Sequence, residues 1–267
     1  MTEKYLSAQT VRRNLLIAGI FAVSMGFLEA IVVVYLREIY YPEGFQFPLH
    51  TFDQNILIIE LIRELSTVIM LVAIGLLAGR TFLQKSAYFL YAFAVWDIFY
   101  YVALKLLLNW PPSLLTWDLL FLIPVTWVGP VISPIICSLT MILLAMVILF
   151  VKKDGEPVKW KPLNWIFILT GAIIIFATFI WDYSNILIKG GFLGDLSNLA
   201  ENESFIEIIT TYIPVRFKWG LFWLGEILIL ISISLLVVGN KRGTTSYRIL
   251  YGINCYLVFE TLSHLYL

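Results

Sequence analysis

The chain has 267 residues, of which 60% are hydrophobic, 16% aromatic and only 13% charged, and its formal net charge is zero. A water-soluble domain carries roughly 25% charged residues, so this composition cannot cover a water-facing surface, and lipid is the expected solvent. The charge balance leaves no basic footprint for nucleic acid, and Cys137 and Cys255 both fall in apolar runs, as packed thiols rather than a disulfide or metal pair.

A spanning helix needs roughly 20 mostly apolar residues. Backbone groups in lipid must be satisfied within the segment or in a closed barrel, and the alternation of a barrel strand is absent. The sequence therefore predicts an all-α, polytopic membrane bundle forming a single domain. Its first span, Leu15–Leu36, follows Arg12 and Arg13 as a signal peptide would. It is too long for that, contains Glu29 and lacks a small-residue cleavage site, so it is read as a retained signal anchor. Ile56–Leu77 and Ala87–Leu108 follow.

The next stretch, Trp110–Pro134, is apolar but holds Pro111, Pro112, Pro124, Pro130 and Pro134, with Asp118 in its middle. Prolines break a continuous helix, and a span here would move the Lys152–Lys161 cluster across the membrane. Trp110–Pro130 is therefore expected to be a short interfacial or re-entrant element on the outer face, with Ser113 as a helix cap. The remaining spans are Val131–Val151, Trp165–Ile186, Trp219–Val238 and Tyr247–Leu267, which makes seven. Val131–Val151 carries no charge and is expected to face lipid. Between the fifth and sixth spans, Phe205, Ile208, Ile209 and Tyr212 have the spacing of a surface helix over Glu203–Tyr212.

With seven spans, Arg12, Arg13, Arg80, Lys85, the Lys152–Lys161 cluster, Lys241, Arg242 and Arg248 gather on one side. Lys and Arg mark the cytoplasmic side. The expected location is thus the inner (cytoplasmic) membrane, with the N-terminus cytoplasmic and the C-terminus extracytoplasmic.

Ionisable side chains inside spans cost roughly 2.5–3.5 kcal/mol each at mid-membrane on the insertion scale. Here they are Glu29, Glu60, Arg63, Glu64, Asp97, Lys105, Asp182, Glu226, Glu260 and His264. All of them fall in the outer half or at the midplane, whereas the inner halves carry only small hydroxyls and Asn254. Glu60 and Glu64 share a helix face with Arg63 beside both, Glu260 and His264 are four apart, and Trp223 could wall Glu226. This sorting by depth predicts an acidic cavity open to the outside and floored near Asp97 and Asn254. Asp97, Glu29, Glu60, Glu64, Arg63, Glu226, Glu260 and His264 are the candidate catalytic residues. Asp97 is the deepest and the candidate proton donor; Glu260 and His264 would exchange protons with the outside. Carboxyls in unlike environments are what acid–base chemistry uses.

Glu260 and His264 also have the spacing of a metal-ligand pair, a pattern common by chance, and no metal site is assigned. Haem is not expected, because the only histidines, His50 and His264, lie in a loop and at a terminus, and the sequence names no cofactor. The motifs of the three-histidine zinc hydrolases and of the CAAX proteases are missing, as is the last-span lysine of retinal proteins. A compact seven-span shape with a few acids resembles the integral-membrane terpene cyclases in architecture; no motif is shared, and no residue is carried over. The first functional expectation is a membrane-embedded enzyme acting on a lipid-soluble or amphipathic substrate. The alternatives are a non-catalytic subunit with membrane-complex partners and a proton or cation transporter. A transporter needs polar groups through both halves, which the charge-free inner half does not supply.

Overall fold

The computed structural model describes residues 6–50, 53–153, 156–157, 160–194 and 202–239. Seven α-helices account for most of them: α1 (Ala8–Tyr40), α2 (Gln54–Ala78), α3 (Phe82–Leu108), α4 (Ile132–Phe150), α5 (Pro162–Lys189), α6 (Glu203–Thr211) and α7 (Trp219–Gly239). A hairpin, β1 (Trp117–Phe121) with β2 (Trp127–Pro130), lies between α3 and α4; a shorter one, β3 (Lys152–Lys153) with β4 (Glu156–Pro157), lies between α4 and α5. Five helices, α1, α3, α4, α5 and α7, are long and apolar enough to cross a membrane, so the chain has the helices of a multi-pass membrane protein. The sixth long helix, α2, carries Glu60, Arg63 and Glu64 within little more than one turn. The expected seventh span, Tyr247–Leu267, lies outside the described residues.

Local chemistry sets the helix ends. The Ser7 hydroxyl accepts the amide of Thr10 at 3.2 Å and caps α1. Thr81 and Gln84 form a reciprocal capping box at the start of α3, and Asn109, with φ 52°, ends that helix in the left-handed region. Pro162 takes the first position of α5, where its missing N–H costs nothing. Asn202 caps α6 by accepting the Phe205 amide at 3.1 Å, so the surface helix expected from the Phe205–Tyr212 pattern is present, with Tyr212 just past its end.

Small residues let the helices approach. On α1, Ala18, Ala22, Gly26 and Ala30 recur every fourth position, and all are buried against the bundle. A Cβ on Gly26 would stand 2.8 Å from the carbonyl oxygen of Trp96, so only glycine allows α1 to lie this close to α3. The α5–α7 contact has the same origin. A Cβ on Gly171 would be 2.6 Å from the Gly225 carbonyl, and one on Gly225 would be 2.7 Å from the Gly171 carbonyl. The bundle therefore comprises α1–α2–α3–α4 and the α5–α7 pair, joined through α4 against α7 and through the hairpin.

Two expectations are corrected. The uncharged helix α4 turns only part of its surface outward, with Leu139 55% exposed. It packs on α3 and α7 and buries Ser133, Ser138, Leu144, Ala145 and Ile148, because small and hydroxyl side chains fit the interior better than the lipid boundary. The second correction concerns Ser113, which caps no helix. Its hydroxyl accepts the Leu115 amide at 3.2 Å in a turn that leads into β1. The proline-rich stretch is a β-hairpin paired Trp117↔Pro130, Asp118↔Gly129, Leu119↔Val128 and Phe121↔Trp127. It enters between the helices and returns to the same end. Near its tip, the Leu122 amide meets Glu64, ten residues and ~15 Å along α2 from Gln54. Proline cannot donate within a helix, and a buried hairpin meets its own ladder bonds, so non-helical backbone is tolerated at this depth.

Candidate functional site

Three helix faces and the hairpin enclose a cavity of about 90 Å³. From α1 come Glu29 and Arg37, eight residues apart on one face; from α2, Glu60, Arg63 and Glu64; from α3, Trp96, Asp97, Tyr100 and Tyr101; from β1, Asp118. Val33 bridges Glu29 and Arg37 at four-residue steps, and the α2 and α3 sets each span four to six residues, the spacing that aligns side chains on one side of a helix. Five carboxyls against two guanidinium groups give a formal charge of −3 around the cavity.

Arg63 is the hub of one half. Its Nη1 donates to Glu29 Oε1 across the α1–α2 gap, its Nε donates to Glu60 Oε2 at 2.7 Å, and its Nη2 lies 4.0 Å from Glu64 Oε1. Glu64 takes its hydrogen bonds from the Leu122 amide instead, at 3.1 and 3.0 Å to its two oxygens. The Thr67 hydroxyl donates to Glu29 at 3.4 Å. These bonds tie α1, α2 and the hairpin tip together.

Arg37 holds the other half. It is 7% exposed, and its Nη2 lies 3.3 Å from Oδ1 of Asp118, which is 1% exposed. The guanidinium sits between two rings, 4.5 Å from the centre of Phe45 and 3.9 Å from that of Trp110. The Tyr101 hydroxyl donates to Asp118 Oδ2 at 3.2 Å. Burial pushes the Asp118 carboxyl up from its ordinary 3.8 to about 6, against the pull of Arg37 and the hydrogen bond from Tyr101. Asp97 differs from the other acids. The Ser138 hydroxyl of α4 donates to it at 2.8 Å, and among the described residues no cation pairs with it.

Of the residues expected at one site, Glu29, Glu60, Arg63, Glu64 and Asp97 line this cavity. Glu226 does not. It lies between α7 and α4, 1% exposed, and accepts from the Thr140 hydroxyl at 2.8 Å. Its expected wall, Trp223, points outward and is 42% exposed. Glu260 and His264, with Asn254 of the expected floor, lie outside the described residues. Lys105 serves the end of α3, donating to the carbonyls of Asn109 and Pro111 at 3.2 and 3.1 Å. Asp182 accepts from the Tyr212 hydroxyl at 2.6 Å. Among the described residues, no group of three or more His, Cys, Asp or Glu side chains could hold a metal ion.

Sequence reasoning missed Arg37, Tyr100 and Tyr101 as site residues and placed Asp118 in an interfacial or re-entrant element on the outer face. Two signals were available. Arg37 repeats the face of Glu29 at i+8, and Tyr100 and Tyr101 repeat that of Asp97 at i+3 and i+4. Asp118 offers no such signal, because its burial depends on a hairpin that inserts between helices. No protein-family model, no characterised protein and no solved structure matches the chain.

Proposed function

We propose that the chain is a seven-span protein of the cytoplasmic membrane, N-terminus inside and C-terminus outside, whose acidic cavity performs acid–base chemistry on a lipid-soluble or amphipathic substrate. The cavity opens toward the extracytoplasmic side in this reading, since the hairpin end of the bundle is opposite the end rich in Lys and Arg. One observation carries the proposal: carboxyls in unlike settings surround a single space. Glu29 and Glu60 are held by Arg63, and Asp118 by Arg37, whereas Asp97 has only a hydroxyl partner among the described residues. A carboxyl without a cation is suited to carry and give a proton, and an arginine-held carboxylate is suited to stay charged. Asp97 is assigned the proton donor and the Arg63-held pair the opposing charge. Glu260 and His264 would pass protons to the outside.

A second reading has its own support. The Glu29–Arg63–Glu60 and Arg37–Asp118 pairs lock α1, α2 and the hairpin, as a non-catalytic subunit of a membrane complex would require. One experiment separates the two. Wild-type protein and Asp97→Asn in lipid nanodiscs are incubated with a lipid extract of the source organism's membranes, and the extract is compared by mass spectrometry. Conversion of a lipid species by the wild type, lowered 10²- to 10⁴-fold in a folded Asp97→Asn protein, is the expected result. An extract left unchanged by both proteins, or changed equally by both, defeats the enzyme reading.

A further inference from the structure

A second cavity, an open groove of about 600 Å³, shares no residue with the acidic one. Leu115 and Trp117, where the chain enters the hairpin, form one wall; Val215, Arg216, Lys218 and Trp219, where it runs into α7, form the other. The floor is fixed by aromatic packing. Phe217 is buried, with its ring centre 6.1 Å from that of Trp117, 5.8 Å from Phe179 and 5.7 Å from Phe222. The groove therefore exists before anything binds.

Charge sets it apart from the first cavity. It is lined by two cations and by no carboxylate. Among the described residues, neither Arg216 nor Lys218 is paired with an acid. Lys218 rests over the ring of Trp181, 5.6 Å from its centre, while Asp182, next to Trp181 in sequence, takes the Tyr212 hydroxyl at 2.6 Å. The rim shows which phase the groove faces. Leu115 is 66% and Val215 88% exposed, and their neighbours Leu114 and Ile213 are exposed as well. Large apolar side chains gathered in this way mark a contact with membrane or protein. Membrane is the fitting choice, because α7 begins at Trp219 and is apolar enough to cross it. The groove thus lies where a span enters the bilayer, at the depth of lipid head groups, with Trp117, Trp181 and Trp219 as the aromatic residues usual at that depth.

The two cations select among head groups. A zwitterionic head group would bring its own ammonium toward Arg216 and Lys218 and gain little. A head group of net charge −1 places phosphate oxygens against both, and the planar guanidinium fork matches a phosphate. The volume is within the range of small-molecule sites, roughly 300–1,000 Å³, so there is room for a glycerol-sized head group as well as its phosphate.

We infer that this groove binds an anionic phospholipid, its phosphate on Arg216 and Lys218 and the start of its acyl chains against Leu115, Val215 and Leu221. The site is separate from the acidic cavity and does not depend on the acid–base reading.

The test is photolabelling of the full protein in phosphatidylcholine nanodiscs. One probe is phosphatidylglycerol with a diazirine near the start of an acyl chain; the other is phosphatidylcholine with the same group. Labelled peptides are mapped by mass spectrometry. The phosphatidylglycerol probe should label 113–118 and 215–224 about ten-fold more than the phosphatidylcholine probe. Arg216→Gln should lower that excess about five-fold, the effect of one cation at a lipid surface, and Arg216→Gln/Lys218→Gln should abolish it. Arg216→Lys/Lys218→Arg keeps both charges and should retain a preference. A Cβ on Gly220, which lines the groove, would meet no atom within 4 Å, so Gly220→Phe fills the space without displacing α7 and should also abolish the excess. Labelling at the exposed Leu77 should stay constant in every variant. Equal labelling by the two probes, or none at the groove because a protein covers it, overturns the inference. So does an excess that survives the double Gln variant or Gly220→Phe, or one abolished by soluble glycerol phosphate, which would make the groove a site for free phosphate compounds.

Discussion

Removing Arg37 should destabilise the protein by an amount that depends strongly on pH. Asp118 is 1% exposed, and its cationic partner is Arg37. In Arg37→Met, an ionised Asp118 would be left buried without a cation, held by the Tyr101 hydroxyl and the Leu119 amide. Breaking a buried pair in this way costs roughly 3–5 kcal/mol. At low pH the loss is smaller, because Asp118 sits at about 6 in the folded chain against an ordinary 3.8. Below about pH 5 the folded protein already holds it neutral, and the substitution then removes one hydrogen bond and two ring contacts, about 2 kcal/mol. The sign in the wild type follows from the same shift. The native state binds the Asp118 proton more tightly than the unfolded chain does. This group's contribution is therefore full below 3.8 and is lost as pH rises through about 6. The assay is unfolding by SDS titration, followed by tryptophan fluorescence at pH 5 and pH 8. Arg37→Met should lose at least ~1 kcal/mol more at pH 8 than at pH 5, and Asp118→Asn/Arg37→Met should lose equal amounts at both. An equal loss at both pH values in the single variant would refute the reasoning.

Gly171→Val should force α5 from α7, because even a Cβ would stand 2.6 Å from the Gly225 carbonyl, and should cost about 1–3 kcal/mol in the same titration; a loss below ~0.5 kcal/mol would show that the helices part freely. Glu226→Gln should be nearly neutral, since the amide oxygen can still accept from Thr140, whereas Glu226→Leu should cost about 1–3 kcal/mol by stranding that hydroxyl; equal costs would remove the hydrogen bond from the account. In a cysteine-free background, Lys153→Cys should resist an impermeant thiol reagent in intact cells, and Ser113→Cys should react; labelling at position 153 would reverse the proposed orientation.

Much of the bundle was legible in the sequence, because lipid enforces a local rule. Any run crossing it must be apolar and must satisfy its own backbone, so composition and run length marked the segments that became α1, α3, α4, α5 and α7. Depth was legible for the same reason. A fixed rise per residue placed Glu29, Glu60, Arg63 and Glu64 in the outer half and Asp97 deeper, near the midplane, and those five line one cavity. The proline content likewise argued against a continuous spanning helix over 110–130, though not for the hairpin that forms there.

Only the tertiary structure decided which faces meet. Depth without azimuth could not tell Glu226, which turns to Thr140 on α4, from the acids that line the cavity. Charge counting sent α4 to the lipid, although Ser138 and Thr140 make it the helix that serves both Asp97 and Glu226. Arg37 and Asp118 are 81 residues apart, and their pairing depends on a hairpin inserting between helices. No periodicity along the chain records that event, because a hairpin buried in protein obeys packing and hydrogen bonding across the fold rather than the local rule of the bilayer.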